Sequence, residues 1–143
     1  MIYTALTKKA LALCFNAHRD QKDKSGMPYV FHPFHLAEQM DDEISTVCAL
    51  LHDIVEDTSY TFNDLREMGY PEEVIEVLKL LTHDDDVPYM DYVKEISKNE
   101  TAKKVKLCDL AHNSDMSRLD FVDDYARARQ EKYKKAIQLL EES

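Results

Sequence analysis

The sequence predicts an all-α bundle of about seven or eight helices, and three observations carry that prediction. Apolar residues recur at helical spacing along the chain, as at Leu6, Ala10, Leu13 and Ala17. No segment shows the period-two alternation of a half-buried strand. Chain breakers are few, 2 glycines and 4 prolines in 143 residues, and each marks a boundary between periodic runs.

Taken in order, the first helix starts after Thr4, whose hydroxyl suits an N-cap. Ser25-Gly26-Met27-Pro28 breaks the chain, and Pro33 opens a short helix to about Met40. Ile44, Val47, Cys48, Leu51 and Val55 then give the most apolar helix, expected to run on through Glu56-Asp57. Thr61-Phe62-Asn63-Asp64 reads as a capping box, with Gly69 at the stop. Pro71 suits the first position of a helix whose apolar face is Val74, Leu78 and Leu81. Asp84-Asp85-Asp86 is a solvated loop, and Pro88 opens a helix carrying Tyr89, Val93 and Ile96. Asn99 caps a long helix to about Met116, and a last one runs from about Asp123 to Leu140.

Length and composition point to one domain spanning residues 1–143, with 44% hydrophobic residues to build a core. The start Met1-Ile2-Tyr3-Thr4 lacks a signal-peptide pattern, and no apolar run nears the roughly 18 residues of a membrane span. Cys14, Cys48 and Cys108, odd in number and set among apolar residues, suit reduced thiols in a cytoplasm. A net charge of −10, from 28 acids against 18 bases, argues against nucleic-acid or anionic-membrane partners. It also sets a constraint: a phosphate ester binds such a chain only where a metal or local cations reverse the field.

Polar residues interrupt the apolar pattern at three places. His52-Asp53 sits inside Val47–Val55, Asp109 and His112 follow Val105 at i+4 and i+7, and His32 stands at the mouth of the short second helix. Buried charge demands a partner. Each of these residues alone fits a hydrogen-bonded core position; together they also fit a mixed imidazole–carboxylate site for Mn²⁺, Fe²⁺ or Zn²⁺, and the residues themselves leave both readings open. Glu56 and Asp57 follow His52 and Asp53 at i+4, one turn further on. Two acids at a helix C-terminus oppose the helix dipole, which speaks against a merely solvated end.

His32…His52-Asp53…Asp109 resembles the metal motif of the HD phosphohydrolase superfamily. His52-Asp53-Ile54-Val55-Glu56-Asp57 is similar to the longer motif of its guanosine tetra/pentaphosphate hydrolase branch, as are Lys24–Tyr29 with His32-Pro33 and Lys106–Asp109 with His112-Asn113. The resemblance covers nearly the whole chain. It implies an HD-type helical domain holding one divalent ion, usually Mn²⁺, on His32, His52, Asp53 and Asp109. Glu56 and Asp57 match the pair that positions and deprotonates the attacking water. Lys24, Ser25 and Asn113 match nucleotide contacts, and Arg129 and Tyr133 match a pair on substrate phosphate. A chain ending at Ser143 is expected to be a small stand-alone alarmone hydrolase of stringent-response chemistry. Its expected partner is a nucleotide: the 3′-pyrophosphate of guanosine tetra/pentaphosphate is cleaved.

Two positions depart from that pattern. Asp23 stands where the branch commonly has an Arg that packs on guanine, and Leu110 where Arg commonly follows the last ligand. Metal chemistry is therefore better supported than guanine specificity. The alternatives are another nucleotide phosphohydrolase or nucleotidase, and a non-catalytic nucleotide sensor. His35 is read as lying behind or outside the ligands, His83 as part of the acidic loop, and His18 without a role. His112 is read equally as packing or as bonding a ligand, and Lys103, Lys104 and Lys106 as a solvated face.

Overall fold

The computed structural model describes residues 1–143 and is built of helices, with only a single antiparallel bridge between Lys22 and Pro28. The helices are α1 (Ala5–His18), α2 (Phe31–Glu38), α3 (Glu43–Leu51), α4 (Ile54–Asp57), α5 (Phe62–Glu67), α6 (Glu72–Leu81), α7 (Tyr89–Ile96), α8 (Glu100–Asn113) and α9 (Asp124–Glu142), with a 3₁₀ turn at Met116–Arg118. Every expected helix is present. No helix is long and apolar enough to cross a membrane.

The caps explain most of the boundaries. Thr4 and Thr61 form capping boxes with Thr7 and Asp64, and Asn99 and Asp123 accept the Ala102 and Ala126 amides. Gly69 ends α5 with φ +94, a left-handed conformation that glycine alone adopts freely. Three boundaries differ from the sequence expectation. Helix α2 begins at Phe31, two residues before Pro33, because a proline in the first turn gives up only an amide that has no helical acceptor. Helix α8 stops at Asn113 because the Asp115 carboxylate captures the Ser117 amide and hydroxyl, at 3.0 and 2.5 Å, and starts the 3₁₀ turn. The third helix is divided: α3 ends at Leu51, Asp53 takes φ −107 and ψ 4, and α4 restarts as one turn.

Helix α3 is the centre of the molecule. It packs against α1, α2, α6 and α8, and all residues from Ser45 to Leu51 are buried. Its two polar members are satisfied locally, Thr46 Oγ1 donating to Asp42 O at 2.6 Å and Ser45 Oγ to the same oxygen at 3.4 Å. Cys14 and Cys48 are buried and Cys108 half-buried, all with free thiols. The His52-Asp53 pair thus hangs from the C-terminal end of a helix buried from Ser45 to Leu51.

Truncating this helix should be costly. Leu50→Ala, at a fully buried position, should lower the free energy of unfolding by about 2–5 kcal/mol. Phe121→Ala, at a side chain 75% exposed, should change it by no more than about 0.5 kcal/mol, with urea unfolding as the measurement.

Candidate metal centre

The break after Leu51 turns His52 and Asp53 toward α2 and α8. His52 is 4%, His32 3% and Asp109 5% exposed, and their donor atoms lie within 4.8 Å of one another. His32 Nε2 is 2.8 Å from Asp109 Oδ1, and His52 Nε2 is 3.5 Å from the same oxygen. Asp53 stands beside this trio, its Oδ2 3.0 Å from His52 Nε2 and accepting a short hydrogen bond from the Tyr29 hydroxyl. The structure therefore brings together all of the expected ligands, three tightly and Asp53 at the edge.

The proton arrangement tests whether a cation fits. His52 Nδ1 is 2.7 Å from Ala49 O, and a carbonyl only accepts, so Nδ1 carries the proton. Nε2 is then a lone pair facing two carboxylates, and it is buried without a directed hydrogen bond. Something positive must stand between them. Burial opposes protonation of His52, but Asp53 and Asp109 outweigh it and raise its pKa well above the ordinary imidazole range. A divalent cation would supply that charge to an imidazole whose other nitrogen is already anchored on backbone, the usual arrangement of a metal-ligating histidine.

Asp109 is the most heavily supported group. Burial alone would raise its pKa, yet Lys106, His32 and His52 hold it well below the usual carboxylate range. Lys106 Nζ donates to Oδ2 at 2.9 Å and Asn113 Nδ2 to Oδ1 at 3.0 Å. Lys106 is thus largely buried against Asp109 rather than on a solvated face; its spacing of three residues before Asp109 is the signal that would have identified it. Lys104 instead pairs with Asp41, and Lys103 donates to Ser143 O at 2.8 Å. His112 lies on the same side: its Nδ1 is 2.7 Å from His32 Nδ1, and its ring stacks on His35 at 4.0 Å. Burial and the neighbouring Arg118 lower the His112 pKa to about 4. It is therefore neutral at pH 7, and its Nδ1 can accept from His32 Nδ1–H, which frees His32 Nε2 for a ligand role.

Glu56 and Asp57 occupy α4. The Asp57 amide bonds Asp53 O at 2.9 Å, so Asp57 does stand one turn above Asp53. Glu56 accepts the His83 amide at 2.5 Å, which ties the acid to the loop before α7. Burial, with Asp53 adding to it, raises the pKa of both acids above the usual carboxylate value. His18, which the sequence left without a role, is 1% exposed and sits 5.0 Å from the Tyr29 ring. Its Nδ1 is 2.8 Å from Gln21 Oε1, and Gln21 Nε2 donates to Asp57 O at 2.9 Å. Tyr29 and this chain of contacts were missed because they depend on α1 lying over the break between α3 and α4.

A cleft of about 240 Å³ opens from His32 and Tyr29 toward α9. Lys24, Ser25, Asn113, Arg129 and Tyr133, all expected to contact a nucleotide, line it. So do Lys22 and Arg118, and the four cations outnumber the acids Asp23 and Asp115. This is the local reversal of field that a chain of net charge −10 requires. The two sequence departures have structural reasons. Leu110 is 1% exposed in the core, where an unpaired guanidinium would be costly to bury. Asp23 Oδ1 accepts the Ser25 and Met27 amides at 2.9 and 3.0 Å, holding the turn that Gly26 completes at φ +80.

Comparison with known proteins gives relatives of one kind. A GTP pyrophosphokinase of Streptomyces coelicolor is 38% identical over 67% of this chain and 13% of its own length. The GTP pyrophosphokinase rsh of Brucella melitensis is 34% identical over 76% of this chain and 16% of its own. The bifunctional (p)ppGpp synthase/hydrolase SpoT of Escherichia coli is 29% identical, over 74% and 17%. The chain thus spans 13% to 17% of the length of these curated relatives. No family model matches. Among solved structures, one described as a metazoan ortholog of SpoT that hydrolyzes ppGpp superposes with a TM-score of 0.77. It covers 98% of this chain and 85% of that one at 24% identity, which establishes the shared fold.

A cation at 100 times its dissociation constant adds about 2.7 kcal/mol to folding stability. Mn²⁺ added to chelator-stripped protein should therefore raise Tm, and Asp109→Asn should lose most of that rise. An equal rise in both proteins would remove Asp109 from the ligand set.

Proposed function

Since the chain belongs to the HD-domain family of guanosine alarmone hydrolases, we propose that residues 1–143 form one catalytic domain that removes the 3′-pyrophosphate from guanosine tetra/pentaphosphate. The single observation that carries the chemistry is the His52 Nε2 lone pair facing Asp53 and Asp109 with its other nitrogen fixed. His32, His52, Asp53 and Asp109 would hold the divalent ion, for which Mn²⁺ is the first choice and Fe²⁺ or Zn²⁺ the others. When bound, such an ion lowers the pKa of water and polarises a phosphoryl oxygen.

The remaining work falls to the chain's own groups. Glu56 and Asp57, whose pKa values burial raises above the usual carboxylate value, position the attacking water and take its proton. The His83 amide holds Glu56 in place, and the Gln21 contact with Asp57 O steadies its turn. Tyr29, whose hydroxyl burial and Asp53 keep protonated, orients the Asp53 carboxylate. Lys24, Ser25, Asn113, Arg129 and Tyr133 bind the nucleotide along the cleft. Three free thiols suit a reducing compartment, so the reading includes the cytoplasm. One observation favours a second reading, a nucleotidase of other base specificity: Asp23 presents a carboxylate where a cation stacking on guanine would stand.

A panel of nucleotides incubated with Mn²⁺ and resolved by chromatography separates the two. Pyrophosphate release from guanosine tetraphosphate, with simple monophosphates untouched, is expected; the reverse pattern overturns the alarmone reading. Asp53→Ala should abolish turnover. Glu56→Gln should retain the metal by elemental analysis while losing about 10²- to 10⁴-fold in kcat.

A further inference from the structure

We propose that Arg118, held by the His112 carbonyl, binds a phosphate group of the nucleotide in the cleft. The inference rests on that cleft being the nucleotide site. Arg118 ends the 3₁₀ turn after α8, and nothing in the sequence pattern marks it. Its side chain is 27% exposed and lines the cleft together with Asp23 and Asn113. One guanidinium nitrogen donates to His112 O at 2.9 Å, which pins the group to the helix that carries Asp109. Its main-chain oxygen accepts the Ser25 hydroxyl at 2.8 Å, across 93 residues of sequence. The guanidinium therefore stands where the Lys24-Ser25 loop and the end of α8 meet.

Its charge is left incompletely matched. Asp23 Oδ2 is 3.8 Å from the second terminal nitrogen, an ion-pair distance too long for a hydrogen bond. The other Asp23 oxygen is committed to the Ser25 and Met27 amides, and the Asp115 carboxylate to Ser117. An arginine offers five N–H donors in a rigid fork, and the His112 carbonyl takes one. Lys24 and Arg129, in contrast, lie over the Tyr125 ring at 4.7 and 5.6 Å. A planar fork held by the His112 carbonyl, with donors left over, suits two oxygens of one phosphate. Asp23, at ion-pair distance, offsets only part of its charge, so the carboxylate that opposed an anionic ligand in the sequence lies beside a cation.

The test uses the full chain loaded with Mn²⁺, with inorganic pyrophosphate and GDP as titration probes and guanosine tetraphosphate as substrate. Arg118→Gln should weaken binding of both probes about 10- to 100-fold, the worth of one or two charge-assisted hydrogen bonds. KM should rise by a similar factor while kcat moves less than about threefold, and the salt dependence of probe binding should become shallower. Arg118→Lys, which keeps the charge and loses the fork, should recover part of the affinity, and it carries the test if the Gln variant does not fold. Unchanged probe affinity in the variants, or a fall in kcat and Tm at constant KM, overturns the proposal, as does a wild type that binds neither probe. If the wild type binds both probes through Arg118 yet leaves the alarmone intact, the proposed activity falls and this assignment stands.

Discussion

The Asp109 carboxylate is the interaction on which the rest of the site depends. It is 5% exposed and ionised, a state that would be untenable unless other groups met its charge. Lys106 meets one oxygen and Asn113 the other, with His32 and His52 Nε2 at 2.8 and 3.5 Å from it. These partners come from α2, α8 and the end of α3, so satisfying one carboxylate fixes the relative placement of three elements. Removing any partner leaves a buried charge short of compensation, whereas a divalent cation adds to it. Folding and metal binding thus draw on the same electrostatic demand.

That demand is also why the site was partly legible in the sequence. His32, His52, Asp53 and Asp109 stood out because polar side chains interrupted apolar periodicity, and periodicity survives in the linear chain. The helices were legible for the same reason, with their ends read from Thr4, Thr61, Gly69 and Asn99. What was not legible depends on backbone geometry without a periodic trace. The division of α3 from α4 at Asp53 lies where apolar residues resume at Ile54 and Val55 with no glycine or proline to mark a break. Arg118 reaches the cleft only because Asp115 ends α8 early, and His18 matters only because α1 crosses over Tyr29. Lys106 was read with its neighbours as solvated, although of Lys103, Lys104 and Lys106 it alone stands three residues before Asp109, the spacing of a helical ion pair.

The distribution of charge answers a contradiction between composition and ligand. A chain of net charge −10 repels phosphate at long range, and the cleft cations act only within about a Debye length. Four of them line one cleft against Asp23 and Asp115, whose carboxylates are drawn into local turns. Attraction is therefore confined to the immediate entrance. The surface elsewhere discourages other polyanions.

The central helix has a consequence for how such a domain diversifies. His52 and Asp53 follow a segment buried on every side, so substitutions there are filtered by stability before chemistry is tested. Lys24 and Ser25 sit on a connection between helices and Arg118 on a short 3₁₀ turn, where side chains vary more readily than in a packed helix. One half of the site is thus frozen by its own foundation and the other is free to drift. Selection on such an architecture can alter the side chains that line the cleft while leaving the His52-Asp53 pair untouched.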